Sequence, residues 1–152
     1  MLRLPQSVWL AMVAHCLAGL PEEACGLLAG APNRDPASDP ASDGASNGAS
    51  DGVVARCYPT ANAAHSARVY VVEPRDHLRA DRDAESRGLE VMGVFHSHTH
   101  TDAYPSPTDV AQAPDPDWHY VLVSLRHEVT VVRSYRIVDG KIDEEQVVLE
   151  GG

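Results

Sequence analysis

The sequence predicts an α+β domain of the α/β-sandwich type, with a mixed central sheet flanked by helices. Two observations carry this. Apolar runs of strand length recur along the chain, and the few helical stretches fall between them in an order that does not strictly alternate. The 152 residues suit one domain with one core, taken as residues 1–150, and are too few for two ordinary ones.

Each element has its own signal. Trp9, Leu10, Met12, Val13, Cys16 and Leu17 recur at helical spacing, and Gly19 followed by Pro21 supplies a stop. "EACGLLAG", residues 23–30, is a short apolar run that reads as a buried strand. Residues 31–52 consist almost wholly of Ala, Ser, Asp, Gly, Pro and Asn in a loose four-residue repeat; nothing there can form a core, so a disordered insertion is expected. "VVARCYP" and "ARVYVVEP" read as strands, and the charged stretch from Pro74 to Gly88 as a solvated helix with Gly88 as its stop. "LEVMGVFHSH" is a strand whose apolar body runs straight into histidines. In "SPTDVAQA", Ser106 sits where an N-cap belongs, with Pro107 at the first helical position and Asp109 three residues past the serine, which predicts a short helix ending before Pro114. "HYVLVSL", "VTVVRSYRIV" and "KIDEEQVVL" are three more strands, the last two joined by the hairpin signal Asp139-Gly140.

Composition removes several function classes. A net charge of -10 with no basic patch repels a phosphate backbone or an anionic membrane, so neither nucleic acid nor membrane is an expected partner. No apolar run reaches the roughly 18 residues needed to span a bilayer, and Pro5, Gln6, Ser7 and His15 interrupt the N-terminal apolar segment, which also lacks a convincing signal cleavage site. Cys16, Cys25 and Cys57 are odd in number, show no Cys-x-x-Cys spacing and lie within or beside apolar runs. They argue against a disulfide framework and for a reducing cytoplasm.

The chemistry is concentrated between Val94 and Val110. Side chains two apart on a strand point the same way, so His96 and His98 can present imidazoles to one point. Two convergent imidazoles suit zinc, and a catalytic zinc takes three protein ligands and keeps one position open. Asp109 is the third ligand on this reading, since the intervening turn can fold the helix back over the strand end, and a helix N-terminus keeps a carboxylate ionised. Taken singly, Ser106 and Asp109 could be a mere cap and His100 a surface residue; it is the combination that is rare by chance. A hydrolase also needs a group to move the proton of the attacking water. Glu22 and Glu23 lead into a buried-looking strand, an odd place for a carboxylate without a polar cleft, and Glu23 is the candidate; the bland alternative is two exposed acids at a turn.

Glu-x-n-His-x-His-x7-Ser-x-x-Asp is the signature of the JAMM (MPN+) metalloproteases, and Glu23, His96, His98, Ser106 and Asp109 resemble it in order and spacing. "EACGLLAG" is similar to that family's first-strand segment, with the glutamate three residues before a glycine, here Gly26, which selects Glu23 over Glu22. The resemblance implies a JAMM/MPN-like, cytidine-deaminase-like fold. It further implies one Zn2+ on His96, His98 and Asp109, with Glu23 carrying the proton and Ser106 stabilising the oxyanion. A closer resemblance, over about residues 20–30 and 92–148, is to the actinobacterial Mec hydrolases through "HSHT", "AYPS", "TDV", "HYVLVS" and "RSYRIVDG". It implies as partner a ubiquitin-like sulfur carrier with a Gly-Gly tail, amide-linked to cysteine that hydrolysis releases for cysteine biosynthesis. The 31–52 insertion and His100 fall outside the matched pattern.

Three rivals stand beside this reading. A JAMM peptidase could instead trim extra residues from a carrier tail or split ubiquitin-like isopeptide conjugates. A metal-free MPN scaffold would bind partners only, and would be expected to lack a ligand. Cys25 could act as a nucleophile, although a thiol in a small apolar strand is normally buried and inert. The final Gly151-Gly152 matches the tail of the carriers themselves and reads as a short tail, because a carrier is a smaller domain without a metal site.

Overall fold

A computed structural model describes residues 1–32 and 51–151; residues 33–50 of the expected insertion, and Gly152, lie outside the described residues. The strands are β1 (Leu2–Pro5), β2 (Cys25–Gly30), β3 (Gly52–Thr60), β4 (Glu90–His98), β5 (His119–Ser124), β6 (Val131–Val138), β7 (Lys141–Glu145) and β8 (Val147–Glu150). The helices are α1 (Gln6–Gly19), α2 (Pro74–Ser86) and α3 (Pro107–Ala111). Among the described residues the strands form one sheet in the order β7-β6-β5-β4-β2-β3-β1-β8. It is mixed, as expected: β4 runs parallel to β5, β1 parallel to both β3 and β8, and the remaining pairs are antiparallel.

Strand alternation divides the core between the two faces. Leu28 of β2 and Phe95 of β4 pack with Val8, Met12, Val13 and Cys16 of α1. Their neighbours Leu27 and Val94 turn to the other face, where they pack with Ala80 of α2, Tyr70 and Tyr120. Every residue of β2 is therefore buried, which is why its sequence reads as an unbroken apolar run. The glycine of "EACGLLAG" is needed for this packing: a Cβ on Gly26 would lie 2.4 Å from the Phe95 ring and 2.6 Å from the Tyr58 carbonyl oxygen. The Asp139-Gly140 turn joins β6 to β7 with positive φ at both residues, the conformation that a two-residue hairpin demands.

Several expectations need correction. The buried stripe of α1 runs Val8, Met12, Cys16, leaving Leu10 and Leu17 on the opposite side at 54% and 50% exposure. β1 carried too short an alternation to be read from sequence. The last residue of the expected 31–52 insertion, Gly52, opens β3. "ARVYVVEP" forms no strand, only an isolated bridge between Asn62 and Val72. "KIDEEQVVL" is two strands rather than one. Gln146 breaks it, and β8 crosses to pair with β1 at the far edge of the sheet.

That break curls the sheet. β7 and β8 are its two edges, yet one residue separates them, and a residue spans less than about 4 Å. The edges must therefore approach each other, and the Leu2 amide donates to the Gln146 carbonyl at 2.8 Å. Near this closure His119 Nδ1 donates to Glu145 Oε2 at 2.6 Å, and Ser134 Oγ donates to the same oxygen at 2.7 Å. Burial opposes the charge on Glu145, but these bonds outweigh it and hold the carboxyl below its ordinary value of 4.5. A depressed folded value gives stability that is complete above pH 4.5 and is lost as the pH falls below it. Urea unfolding at stepped pH is expected to show that loss in the wild type and a flatter profile in Glu145→Gln; parallel profiles would remove Glu145 as its source.

Candidate functional site

The site grows from the register of β2 on β4. Cys25 pairs with His96, so the chain just before β2 lies against the last residues of β4. The pairing continues one step further, with the Ser97 amide donating to the Ala24 carbonyl at 2.9 Å and the Ala24 amide donating to Ser97 Oγ at 2.8 Å. Glu23 is thereby carried to the His98 end of β4. Alternation turns Ser97 to one face and both histidines to the other.

His98 Nδ1 donates to the Asp102 carbonyl at 2.8 Å, which orients the ring and turns Nε2 towards Asp109. His96 is stacked by Tyr70, with ring centroids 4.1 Å apart and planes 21° from parallel. Beyond His98 the turn is pinned from the neighbouring strands: Ser124 Oγ donates to the Thr101 carbonyl, and Tyr135 Oη donates to the Ala103 carbonyl. The chain then enters α3 through a capping box. Ser106 Oγ accepts from the Asp109 amide at 3.0 Å, and the Ser106 amide donates to Asp109 Oδ2 at 2.9 Å.

The same Oδ2 lies 3.2 Å from His96 Nε2 and 3.0 Å from His98 Nε2, and the two imidazole nitrogens are 3.2 Å apart. Two ring nitrogens and a carboxylate oxygen thus form a near-equilateral triangle with all three side chains buried. A tetrahedral zinc site with bonds of about 2.0–2.1 Å has ligand–ligand edges of roughly 3.3 Å, so this triangle has the size of one face of such a site. The donor set fits a divalent metal ion.

Electrostatics support the fit. Burial alone would push the Asp109 carboxyl up, but its bonds to His96 and His98, and the Ser106 amide, outweigh burial and hold it well below the usual carboxylate range. Burial pushes His96 down, towards the neutral form that a metal requires. Glu23 is raised to about 7, chiefly by burial, with Asp109 adding to the rise and His98 opposing it. Its Oε1 is buried without a hydrogen-bond partner among the described residues. Buried polar atoms are almost always paired, so this one is poised for a group that is not part of the chain.

The structure separates candidates that the sequence had left close together. Glu23 is 4% exposed, whereas Glu22 is half-exposed and sits 3.7 Å from His65. His100 is exposed and outside the triangle. Cys25 is buried against Thr60 with its thiol pushed up to about 11 by that burial, which makes it an inert core residue. The scaffold rival expected a missing ligand, and none is missing. Sequence reasoning overlooked Ser97, Tyr70 and Asn62. Ser97 was legible as the residue between the two histidines, facing away; Tyr70 and Asn62 lie in a segment whose loop character was not. Tyr70 also lines a mainly apolar cavity of about 290 Å3 with Val72, His77, Val94 and Trp118.

A curled mixed sheet with a His-His-Asp group at the end of a central strand, and a buried glutamate beside it, defines a hydrolytic enzyme of the JAMM/MPN metalloprotease class. The chain belongs to the family of prokaryotic homologs of the JAB domain, whose model matches residues 5–138. It is 41% identical over 141 residues to the CysO-cysteine peptidase of Mycobacterium tuberculosis, covering 90% of this chain and 83% of that one. It is 31% identical over 105 residues to a desampylase of Haloferax volcanii, covering 68% of this chain and 63% of the relative. The solution structure of a Desulfitobacterium hafniense protein superposes on all of this chain and 94% of its own, with a TM-score of 0.83 and 33% identity.

Ser97 is fully buried and its hydroxyl is the acceptor for the Ala24 amide, so Ser97→Ala leaves that donor unsatisfied. Loss of about 1–3 kcal/mol is expected in chemical denaturation. A variant as stable as the wild type would show that the β2–β4 register does not need this bond.

Proposed function

We propose that the chain is a zinc-dependent hydrolase that cleaves the amide between the C-terminal glycine of a ubiquitin-like sulfur carrier and cysteine, releasing free cysteine. The observation that carries the chemistry is the buried Glu23 Oε1, without a hydrogen-bond partner among the described residues, beside the His96, His98 and Asp109 triangle. The substrate rests on the 41% identity to a CysO-cysteine peptidase. The family match over 5–138 supports reading residues 1–150 as one catalytic domain, and the three free cysteines fit a reducing cytoplasm.

His96, His98 and Asp109 would hold one Zn2+. Bound there, zinc supplies Lewis acidity that acidifies water and polarises a carbonyl. Glu23 accepts the proton of the attacking water and delivers it to the leaving cysteine nitrogen. A carboxyl lifted to about 7 both takes and gives a proton readily near neutral pH. The half-buried Ser106 accepts from the Asp109 amide through its oxygen, so its O–H remains available to donate to the developing oxyanion. No side chain is acylated, and both protons of the water are accounted for: one on the new carboxylic acid, which ionises, and one on the amine. A Gly-Gly tail is thin enough to pass a narrow groove in extended form.

The desampylase similarity favours one second reading, a JAMM peptidase that trims carrier tails or cleaves isopeptide conjugates with the same residues. Intact mass spectrometry of carriers ending in Gly-Gly-Cys, in Gly-Gly-dipeptide and in Gly-Gly linked to lysine separates the two. The Gly-Gly-Cys carrier is expected to lose one cysteine residue fastest; preference for the lysine-linked or dipeptide tail would replace the substrate while keeping the chemistry. Glu23→Gln is expected to lower the rate at least about 100-fold with zinc retained. His98→Ala is expected to lose the zinc itself, read by elemental analysis. Full metal in His98→Ala, or full activity in Glu23→Gln, would refute the corresponding assignment.

A further inference from the structure

Glu23 is buried but belongs to no strand, because β2 begins at Cys25. The sheet ladder therefore does not fix its backbone. The loop between β3 and α2 does so instead. The Glu23 amide donates to the Ser66 carbonyl at 2.8 Å, and the Glu23 carbonyl accepts from Asn62 Nδ2 at 2.8 Å. Both backbone groups of the residue are thus held by one loop.

Asn62 is also what gives that loop its shape. It is 8% exposed, and its Nδ2 reaches the Val69 carbonyl at 3.1 Å and, more weakly, the Ser66 carbonyl at 3.4 Å. Its Oδ1 accepts from the amides of Ala64 and Val71, each at 3.0 Å. A carboxamide carries two donor hydrogens and an acceptor with two lone pairs, and here both ends are in use. Aspartate keeps the acceptor and loses the donors; alanine loses both. Between Val69 and Val71, the two residues that Asn62 grips, lies Tyr70, whose ring stacks on His96. Nearby, Thr99 Oγ1 donates to the Ala67 carbonyl, tying the loop to the residue after His98.

We propose that Asn62 is a positioning residue for the reaction: its side chain clamps the Glu23 backbone and couples the place of that carboxylate to the loop carrying Tyr70 over His96. It touches neither metal ligand nor reacting atom in this arrangement, and acts through Glu23. The proposal rests on the reading of Glu23 as the proton carrier.

The test compares wild type, Asn62→Asp, Asn62→Ala, Glu23→Gln and the two double variants. Each is checked for one zinc per chain and for its melting temperature, then assayed in the steady state on a conjugate that the wild type cleaves. With zinc retained, the Asn62 variants are expected to lose at least about ten-fold in kcat with KM within about two-fold, as a displaced proton carrier would. In the Glu23→Gln background the same changes are expected to cost less than about two-fold, since two groups acting through one step are not additive. Undiminished kcat in both Asn62 variants, a loss confined to KM, or an equal loss in both backgrounds would overturn the proposal. Wild-type rates in Glu23→Gln would also overturn it, and would be recognised as the failure of the Glu23 reading by arising in that single variant.

A measurement on the wild type alone guards against variants that do not fold. The Glu23 amide, bonded to the Ser66 carbonyl of the loop, and the Val71 amide, bonded to Asn62 Oδ1, are expected to exchange with solvent at similar protection. A Glu23 amide exchanging more than about ten-fold faster than that of Val71 would overturn the coupling.

Discussion

The antiparallel register of β2 on β4 is the constraint on which the site depends. Sliding that pairing by one residue would turn His96 and His98 to the α1 side and send Ser97 to the site, because strand side chains alternate. What holds the register is apolar. Leu28 and Phe95 are committed to one core, Leu27 and Val94 to the other, and Gly26 leaves room for the Phe95 ring. The chemistry at the strand end is thus aligned by packing in the middle of the sheet.

Asp109 shows how one atom serves structure and chemistry together. Its Oδ2 accepts from the Ser106 amide, completing the capping box of a helix too short to persist alone, and the same oxygen closes the triangle with the two histidines. The cap orients the carboxylate and the amide helps keep it charged, so the Asp109 carboxylate is held ionised and in place beside the two histidines. Glu23 is the opposite case. It is buried with one oxygen that has no partner among the described residues, a cost to stability that is common where a group must remain free to take a proton. Its backbone is held at both the amide and the carbonyl by the loop between β3 and α2.

Several misreadings share one cause. The period-two pattern of "ARVYVVEP" was real, with Tyr70 buried and Val71 exposed, but a strand needs a continuous partner and the segment finds only the one bridge to Asn62. "KIDEEQVVL" looked continuous because local patterning does not record which partner each half will pair with. Leu10 and Leu17 fit a helical stripe as well as Val8, Met12 and Cys16 do, and only the sheet's placement chose between the stripes. Asn62 left no trace, since its worth comes from Glu23 being 39 residues away in sequence and adjacent in space.

The sequence by itself determined the donor set, the alternation that sends His96 and His98 to one side, the cap that presents Asp109, and the fold class. These follow from local geometry, strand period and helix-terminus hydrogen bonding, which act over a few residues. The tertiary structure decided the burial of Glu23 rather than Glu22, the curl that brings β7 and β8 together, and the clamp of the 61–73 loop on the site. Each of these depends on which surfaces meet after distant segments have packed, and burial and dielectric environment are properties of that meeting rather than of any residue alone.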